Sequence, residues 1–223
     1  AGDRFAELIS KVRKDSTVKA VVLRVNSPGG SVVASSKVKT ELDLLRESVP
    51  VIASYGNYAA SGGYWISANT DKIFSNATTL TGSIGVFSMI PDISGALKNK
   101  LHVNVTTVNS NTHSDIYTLI KPLDAAETAY MQASVEDIYD RFTSIVAEGR
   151  DMTVEEVDAI AQGRVWTGAE AEGIGLVDQI GTLTDALEYA AISIDGVEGL
   201  SDVQIVEYPK PQTSVEMILE MFG

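Results

Sequence analysis

Short apolar runs alternate with amphipathic stretches over the first 110 residues of the chain. Residues 18–26 (VKAVVLRVN) and 51–54 (VIAS) are nearly continuous runs of apolar residues, which is typical of strands buried inside a parallel sheet. Between them, residues 32–46 carry apolar side chains at helical spacing, namely Val33, Val38, Leu42 and Leu45. Strands that alternate with helices predict an α/β fold with a parallel sheet, right-handed βαβ units and surrounding helices.

The same patterns predict most of the other elements. Predicted helices cover residues 60–69, 93–100 and 125–148, and another begins at the capping box that opens at Thr153. The long helix has an apolar stripe made of Tyr130, Ala133, Ile138, Phe142 and Ile145. Predicted strands cover residues 72–75, 103–108 and 203–208, residues 81–86 form a turn or strand, and residues 109–117 form a loop. Because the pattern weakens at Asp195, we expect a domain over residues 1–194 and an extension or oligomer-docking region over residues 195–223.

Composition narrows the classes of function. The chain has 223 residues, 44% of them hydrophobic and 21% charged, which is enough apolar mass for a folded core. Its net charge of −13 argues against binding to nucleic acid or to an anionic membrane surface. It has no cysteine, so disulfides, thiolate metal sites and a cysteine nucleophile are excluded, and neither metal nor cofactor is expected. No apolar run approaches the roughly 18 residues that span a bilayer. Because the sequence starts at Ala1, we expect a piece of a longer polypeptide.

The segment YAASGGYW (residues 58–65) contains the strongest candidate for a nucleophile. Ser61 precedes Gly62 and Gly63, and glycines let the backbone turn sharply and let a substrate approach closely. A helix that begins here would direct free N–H groups at negative charge developing near the serine oxygen. The simpler alternative is a helix N-cap serine beside two glycines used for packing.

A second glycine pair, Gly29 and Gly30, directly follows the first predicted strand. Ligands of parallel sheets bind beyond the carboxyl ends of the strands, so Ser61 and these two amides should share one crevice. A nucleophile together with amide donors for an oxyanion is what acyl transfer requires. The alternative for the glycine pair is a tight turn that binds no ligand.

Three motifs occur in a fixed order, NSPGGSV (26–32), AASGGYWIS (59–67) and LTGSIGV (80–86), and on them the chain resembles the signal peptide peptidase A family, also called protease IV. The similarity continues through QGRVWTG (162–168) and GLVD (175–178) and covers most of residues 8–190. It implies the crotonase-like fold shared with the caseinolytic protease subunit. It also implies a membrane-associated serine protease that uses a Ser–Lys dyad to degrade signal peptides left after secretion.

The resemblance assigns roles to individual residues. Ser61 would be the nucleophile, and the N–H of Gly30 would contribute to the oxyanion hole. The second donor would be the amide of Ser61 or Gly62, with Gly62 preferred. Ser83 matches the serine that orients the lysine base, and its alternative is a simple turn serine.

The lysine base is the part that this sequence lacks. In the single-repeat branch of the family the lysine follows a histidine, but here Ser114 follows His113. Lys121 and His113 are the substitutes inside the chain, although a solvated loop histidine is the simpler interpretation of His113. In the duplicated branch the second half of the polypeptide supplies the serine and the first half supplies the lysine. We therefore expect this chain to be the carboxy-terminal half, with its general base outside the sequence.

The resemblance also implies partners and a location. It implies a peptide substrate, the amino-terminal half of the same polypeptide, and a homo-oligomer of at least four subunits. The location would be the bacterial cell envelope, with an anchor outside this chain and the catalytic part outside the cytoplasm. Apolar residues near Val32, Val33, Val86 and Phe87 are expected to line the specificity pocket.

Two other functions fit parts of the sequence. A crotonase-like acyl-thioester hydratase or isomerase shares the fold and the oxyanion hole, but it relies on glutamates and needs no serine nucleophile. The other is a non-catalytic scaffold, which would bind peptides but would not cleave them. The setting of Ser61 favours the peptidase.

Overall fold

The computed structural model of the chain describes residues 2–209. Its α-helices are α1 (Gly2–Arg13), α2 (Val32–Arg46), α3 (Gly62–Trp65), α4 (Ser94–Asn99), α5 (Ala125–Arg150), α6 (Val154–Ile160), α7 (Gly168–Gly173) and α8 (Leu183–Ile192). Its strands are β1 (Val21–Ser27), β2 (Val51–Ala60), β3 (Lys72–Ser75), β4 (Leu80–Gly82), β5 (Val165–Thr167) and β6 (Gln179–Ile180). A 3₁₀ turn covers Leu200–Asp202.

The six strands form one sheet with β2 at its centre. The order is β5-β4-β2-β3-β6, and β1 lies along β2 as well. The first half of β2 pairs with β1 and β3, and its last three residues pair with β4. All pairs are parallel except β4 with β5. The predicted α/β fold with a parallel sheet is therefore confirmed, with one antiparallel pair at an edge.

A bulge shapes the end of β1. The register with β2 shifts between Val25 and Ser27, so that Ser27 lies opposite Ala59. The side-chain oxygen of Asn26 accepts hydrogen bonds from the N–H groups of Asn57 (3.0 Å) and Tyr58 (3.2 Å) and so satisfies the donors that the bulge leaves free. The turn that follows β1 is thereby placed beside the end of β2.

The residues that follow Ser61 are anchored in the core. Tyr64 is fully buried, and its hydroxyl donates to the carbonyl of Leu176 at 2.8 Å. Trp65 packs against Phe142 of α5 with ring centroids 4.7 Å apart. Because α3 is fixed on both sides, the position of Ser61 at its start is fixed as well.

Several predicted elements are confirmed in place. Helix α2 has the predicted bounds, and the hydroxyl of Ser31 caps it by accepting from the N–H of Ala34. The capping box at Thr153 is present, with Glu156 as its second member. Strand β3 and the loop at residues 109–117 also lie where the sequence predicts them.

Other predictions are wrong. Residues 103–108 and 203–208 form no strand, because none of these residues pairs with another strand among residues 2–209. The predicted helix at residues 60–69 is only the single turn α3, since Ala60 belongs to β2. Tyr130 and Ala133 are exposed, so the stripe of α5 is buried only in its later turns. Residues 210–223 of the predicted extension lie outside the described residues, and the boundary near Asp195 stays a prediction.

Candidate active site

Three neighbouring strands end at one edge of the sheet and bring the predicted site residues together. Ser27 ends β1 opposite Ala59, and Ala60 at the end of β2 pairs with Gly82 at the end of β4. The backbone N–H of Ser61 donates to the carbonyl of Gly82 at 2.9 Å. The turns that begin at Ser27, Ser61 and Ser83 therefore lie side by side, as expected for a ligand site on a parallel sheet.

Ser61 occupies a strained turn between β2 and α3. Its backbone has φ 52° and ψ −121°, a conformation that costs a non-glycine residue about 1–3 kcal/mol. Its carbonyl accepts from the N–H of Trp65 at 2.8 Å, which starts the helix. Although Ser61 stands at the N-cap position, its side chain accepts no bond from the helix amides. The hydroxyl therefore does not act as a cap, and this favours the nucleophile over the alternative interpretation.

The glycine turn after β1 packs directly against Ser61. A Cβ added to Gly29 would lie 2.6 Å from the Cβ of Ser61 and 2.9 Å from the nitrogen of Gly62. A Cβ added to Gly62 would lie 3.2 Å from the nitrogen of Gly30. Glycine is thus needed on both sides of this contact, since any side chain would separate the two turns.

The two predicted oxyanion donors are therefore neighbours. The N–H of Gly29 donates to the hydroxyl of Ser27 at 3.2 Å. Within residues 2–209, the N–H groups of Gly30 and Gly62 make no hydrogen bond. Free amides beside a nucleophile are the donors that stabilise a developing oxyanion.

Ser83 lies in the adjacent turn at the end of β4. Its φ is 48°, and its N–H donates to the carbonyl of Arg164 at 2.7 Å. The residue that accepts the hydrogen bond from Ser61 is Gly82, and Gly82 directly precedes Ser83 in the chain. Ser83 therefore lies in the turn next to that of Ser61.

Lys121 and His113 belong to a separate ionic cluster. Lys121 Nζ lies 2.8 Å from Glu127 and 3.0 Å from Asp115, and these hydrogen bonds raise the pKa of Lys121. His113 Nδ1 lies 3.1 Å from the same oxygen of Glu127. The Lys121 ammonium is the largest influence that lowers the pKa of Glu127 to about 2. A lysine base needs a lowered pKa, so this arrangement opposes the chemistry that Lys121 would have to perform.

The same cluster has the composition of a cation site. Ligand atoms of His113, Asp124 and Glu127 lie within 4.8 Å of one another. The ammonium of Lys121 already contacts the Glu127 oxygen that faces His113, and its positive charge opposes a metal ion there. We interpret the cluster as a salt-bridge network that holds the loop onto the start of α5.

A groove of about 960 Å³ opens beside the two glycine turns. One wall is α1, which contributes the apolar residues Phe5 and Leu8 together with charged residues. The other wall includes Gly30, Gly62 and the apolar Ile66. The expected pocket residues Val32, Val33, Val86 and Phe87 are not among those that line it. Sequence reasoning missed the role of α1, although its apolar residues recur at helical spacing: Phe5, Leu8, Ile9 and Val12.

A family model described as peptidase family S49 matches residues 43–195. This chain belongs to peptidase family S49. The match includes Ser61, Ser83 and the segment between β4 and α5. It confirms the predicted family and favours the peptidase over the hydratase.

Named relatives agree with the family. The chain is 43% identical over 190 residues to "Protease 4" of Haemophilus influenzae, covering 85% of this chain and 31% of that protein. It is 38% identical over 210 residues to the "Putative signal peptide peptidase SppA" of Enterococcus faecium, covering 94% of this chain and 60% of the relative. The chain thus spans about a third of the length of the first and three fifths of the second.

The solved structures confirm the predicted fold. A mutant of ClpP1 from Listeria monocytogenes is similar with a TM-score of 0.55 and 15% identity, covering 83% of this chain and 86% of that one. At this identity the likeness shows the fold alone. No helix in residues 2–209 has the length and apolarity needed to cross a membrane.

Proposed function

We propose that the chain carries the nucleophile half of a Ser–Lys serine endopeptidase site. The observation that carries the proposal is the strained turn of Ser61, whose hydroxyl caps no helix and whose neighbours are the free amides of Gly30 and Gly62. Membership in peptidase family S49 supports the reaction class.

The reaction follows from these positions. The Ser61 oxygen attacks the carbonyl carbon of the scissile peptide bond while a lysine amine takes its proton. Negative charge moves onto the carbonyl oxygen, and the N–H groups of Gly30 and Gly62 stabilise it. The C–N bond then breaks as the leaving amine takes the proton back. Water, activated by the same amine, hydrolyses the acyl-enzyme and restores Ser61.

The lysine comes from the amino-terminal half of the same polypeptide, outside this chain. Lys121, the substitute within the chain, is held by Glu127 and Asp115, and these contacts raise its pKa. Ser83 positions the incoming amine, because it follows the strand that anchors Ser61. The stretch matched in the Haemophilus influenzae relative is 31% of that protein, which leaves room there for such a half.

The substrates are apolar peptides such as cleaved signal peptides. The groove beside the oxyanion donors supports this class, since Phe5, Leu8, Val38 and Ile66 supply apolar surface along it. The protein works as a homo-oligomer of four or more subunits in the bacterial cell envelope, held by a membrane anchor outside this chain. Relatives with the names "Protease 4" and "signal peptide peptidase" support this location.

The test compares residues 1–223 alone with the full-length protein. A fluorophosphonate probe should label Ser61 in the full-length protein, which should also hydrolyse an apolar peptide. Ser61→Ala should abolish both, whereas Ser16→Ala, an exposed serine outside the site, should change neither. Residues 1–223 alone should show no turnover.

Each contrary result has its own meaning. Ser61-dependent turnover by residues 1–223 alone would overturn the external lysine. Hydrolysis that survives Ser61→Ala would overturn the nucleophile. A full-length protein that binds apolar peptides but never cleaves them would favour the scaffold.

A further inference from the structure

Residues 161–164 form the loop between α6 and β5, and most of them belong to the motif QGRVWTG, which no step of the proposed reaction uses. This loop faces the turn that carries Ser83, and two backbone hydrogen bonds join the two segments. The N–H of Ser83 donates to the carbonyl of Arg164 at 2.7 Å. The N–H of Gly163 donates in the other direction, to the carbonyl of Ile84 at 2.9 Å. The backbone of Ser83 is therefore held from outside its own turn.

The loop and the turn are also packed closely together. A Cβ added to Gly85 would lie 2.7 Å from the Cα of Gly163. A Cβ added to Gly82 would lie 3.2 Å from the carbonyl oxygen of Arg164. Both neighbouring atoms belong to the backbone, so no side-chain rotation can change these contacts. A shift of the loop would therefore shift the turn of Ser83 as well.

Ser83 needs this support because its backbone is strained. Its φ of 48° lies in the left-handed region, which residues with a Cβ rarely adopt. Such a conformation persists only where the surrounding structure imposes it. The two hydrogen bonds to the 161–164 loop supply that constraint. The direction of the Ser83 side chain thus depends on where this loop lies.

The side chain of Arg164 fixes the loop to the end of α6. Its Nη1 donates to the carbonyls of Ala159 at 2.9 Å and Ala161 at 3.2 Å. Its Nη2 donates to Oε1 of Gln162 at 3.1 Å. Carbonyls at the end of a helix lack partners within the helix, and the fork of a guanidinium can bind several of them at once. One residue therefore has two tasks, because its carbonyl holds Ser83 and its guanidinium holds that carbonyl in place.

A second tether of the same loop comes from α5. The hydroxyl of Tyr139 donates to a carboxylate oxygen of Asp158 and accepts from the N–H of Gln162 at 3.3 Å. The ring of Tyr139 packs against the hydrophobic core. The loop is thereby joined to the body of the protein as well as to α6.

We propose that Arg164 is a positioning residue for the proposed reaction and that it acts through Ser83. By fixing its own carbonyl, Arg164 fixes the backbone of Ser83 and hence the hydroxyl that orients the lysine base. The proposal rests on the proposed function, because Ser83 must have a base to orient. Arg164 is not among the residues that line the groove, so it is not expected to bind the peptide.

The first experiment measures hydrolysis of an apolar peptide by the full-length protein. Arg164→Ala should lower kcat by at least about tenfold and leave KM within about twofold, because a misplacement of about 1 Å in a catalytic site costs up to about 100-fold. In a Ser83→Ala background the same substitution should change kcat by less than about twofold, because the hydroxyl that it positions is absent. Equal losses in the two backgrounds would overturn the proposal, and so would a raised KM with kcat unchanged.

The pH profile of kcat/KM gives a readout that a general loss of stability would not change. Its acid limb reports the pKa of the general base, and a hydrogen bond to the base influences that pKa. Arg164→Ala should therefore shift the acid limb in the same direction as Ser83→Ala. An unshifted limb in Arg164→Ala beside a shifted limb in Ser83→Ala would contradict action through Ser83.

Arg46→Ala is the matched control. The guanidinium of Arg46 also donates to a backbone carbonyl, that of Asn69, and it forms an ion pair with Asp71. These residues lie at the amino ends of β2 and β3, at the opposite edge of the sheet from Ser83. The control should keep the kcat and the pH profile of the wild type within about twofold.

Tyr139→Phe provides a second variant, because it removes the other tether and keeps the ring that packs on the core. It should lower kcat in the wild-type background and leave it unchanged in the Ser83→Ala background. If Arg164→Ala does not fold, this variant decides the question, and an unchanged kcat in Tyr139→Phe would then overturn the proposal.

Hydrogen exchange reports on the tether without any catalysis. The amides of Ser83 and Gly163 donate across the contact, so both should exchange at least about tenfold faster in Arg164→Ala. In Arg46→Ala they should exchange at the rate of the wild type. The measurement is mass spectrometry of fragments that contain residues 82–85 and 162–165. Unchanged exchange in Arg164→Ala would overturn the tether even if activity fell.

The outcomes distinguish failure of this proposal from failure of the proposed function. If the wild type hydrolyses the peptide through Ser61 and Arg164→Ala loses activity equally in both backgrounds, the positioning role is wrong and the peptidase proposal stands. If the wild type hydrolyses no peptide, the peptidase proposal fails and the positioning role fails with it. Faster exchange in Arg164→Ala would in that case leave the tether as a structural contact only.

Discussion

The variant Gly29→Ala tests the contact between the two glycine turns. Its added Cβ would lie 2.6 Å from the Cβ of Ser61, 2.9 Å from the nitrogen of Gly62 and 3.0 Å from the carbonyl oxygen of Ala60. Two of these three atoms belong to the backbone, so no side-chain rotation relieves the clash. The φ of +112° at Gly29 adds strain for any residue with a Cβ.

The size of the effect follows from the displacement. Carbon atoms in contact prefer about 3.5–4.0 Å, so the turn must move by about 1 Å away from Ser61. A misplacement of about 1 Å in a catalytic site costs about 100-fold in rate. The moved turn also carries the Gly30 amide, and loss of one oxyanion donor costs about 100- to 1,000-fold. We expect kcat/KM to fall by at least about 100-fold, which corresponds to about 2.7 kcal/mol of transition-state stabilisation.

The assay is hydrolysis of an apolar peptide by the full-length protein, with thermal unfolding measured on the same samples. Gly173→Ala is the matched control, because a Cβ there would meet no atom within 4 Å. The control should retain wild-type activity. If a folded Gly29→Ala variant keeps activity within about threefold of the wild type, the close packing of the glycine turn after β1 against Ser61 is refuted as a requirement for catalysis.

Two further predictions concern stability. Glu127→Gln should lower Tm at pH 7, because it removes a carboxylate whose ionised form stabilises the fold. The hydrogen bond from Lys121 is the largest cause that lowers the pKa of Glu127 from its ordinary value of 4.5 to about 2. A carboxylate with a lowered pKa contributes its full stabilisation above pH 4.5, and this stabilisation is lost as the pH falls through 2. The difference in Tm between the variant and the wild type should therefore shrink between pH 4.5 and pH 2. A difference that stays constant would contradict the ion pair. Tyr64→Phe leaves the buried carbonyl of Leu176 without its donor and should cost about 1–3 kcal/mol. Each kcal/mol lowers Tm by about 2–4 °C, and an unchanged Tm would contradict the bond.

The sequence predicts an element correctly where contacts between residues close together in the chain determine its structure. Helix α2 has the bounds that its apolar spacing predicts, and the structure adds the cap by Ser31. The capping box at Thr153 is likewise recognisable from residues close together in the sequence. In both cases the hydrogen-bonding groups that define the element lie within a few residues of each other.

The predictions are wrong where the structure of a segment depends on pairing with a strand that lies elsewhere in the chain. Residues 103–108 alternate as a strand should, but no strand among residues 2–209 lies beside them. The short α3 shows the opposite case, because pairing of Tyr58–Ala60 with β4 extends β2 up to Ser61 and displaces the predicted helix start. Periodicity describes the faces of a segment and does not identify its neighbours.

The candidate site was predictable in its residues and not in its surroundings. The sequence predicts that Ser61 and the amides of Gly29 and Gly30 share one crevice, and the structure brings these turns together with that of Ser83. The catalytic roles of these residues stay predictions. The groove was not predicted, because its wall α1 was not assigned and the expected lining residues lie elsewhere. The walls of a groove depend on helix packing, which the motifs do not encode.

The backbone holds Ser61 and Ser83 in similar conformations. Both have positive φ values, 52° and 48°, although neither is glycine, and both follow the ends of paired strands. Each is held by a backbone bond from its own N–H, to Gly82 in one case and to Arg164 in the other. Strain of this kind persists only where the surrounding structure imposes it, and it concentrates where a side chain must be presented. His102, His113, Asp151 and Gln162 also have positive φ, so this conformation alone does not single out the two serines. What distinguishes Ser61 and Ser83 is that they lie in adjacent turns at the ends of β2 and β4, which is the arrangement that the proposed pairing of a reacting hydroxyl with a base-orienting hydroxyl requires.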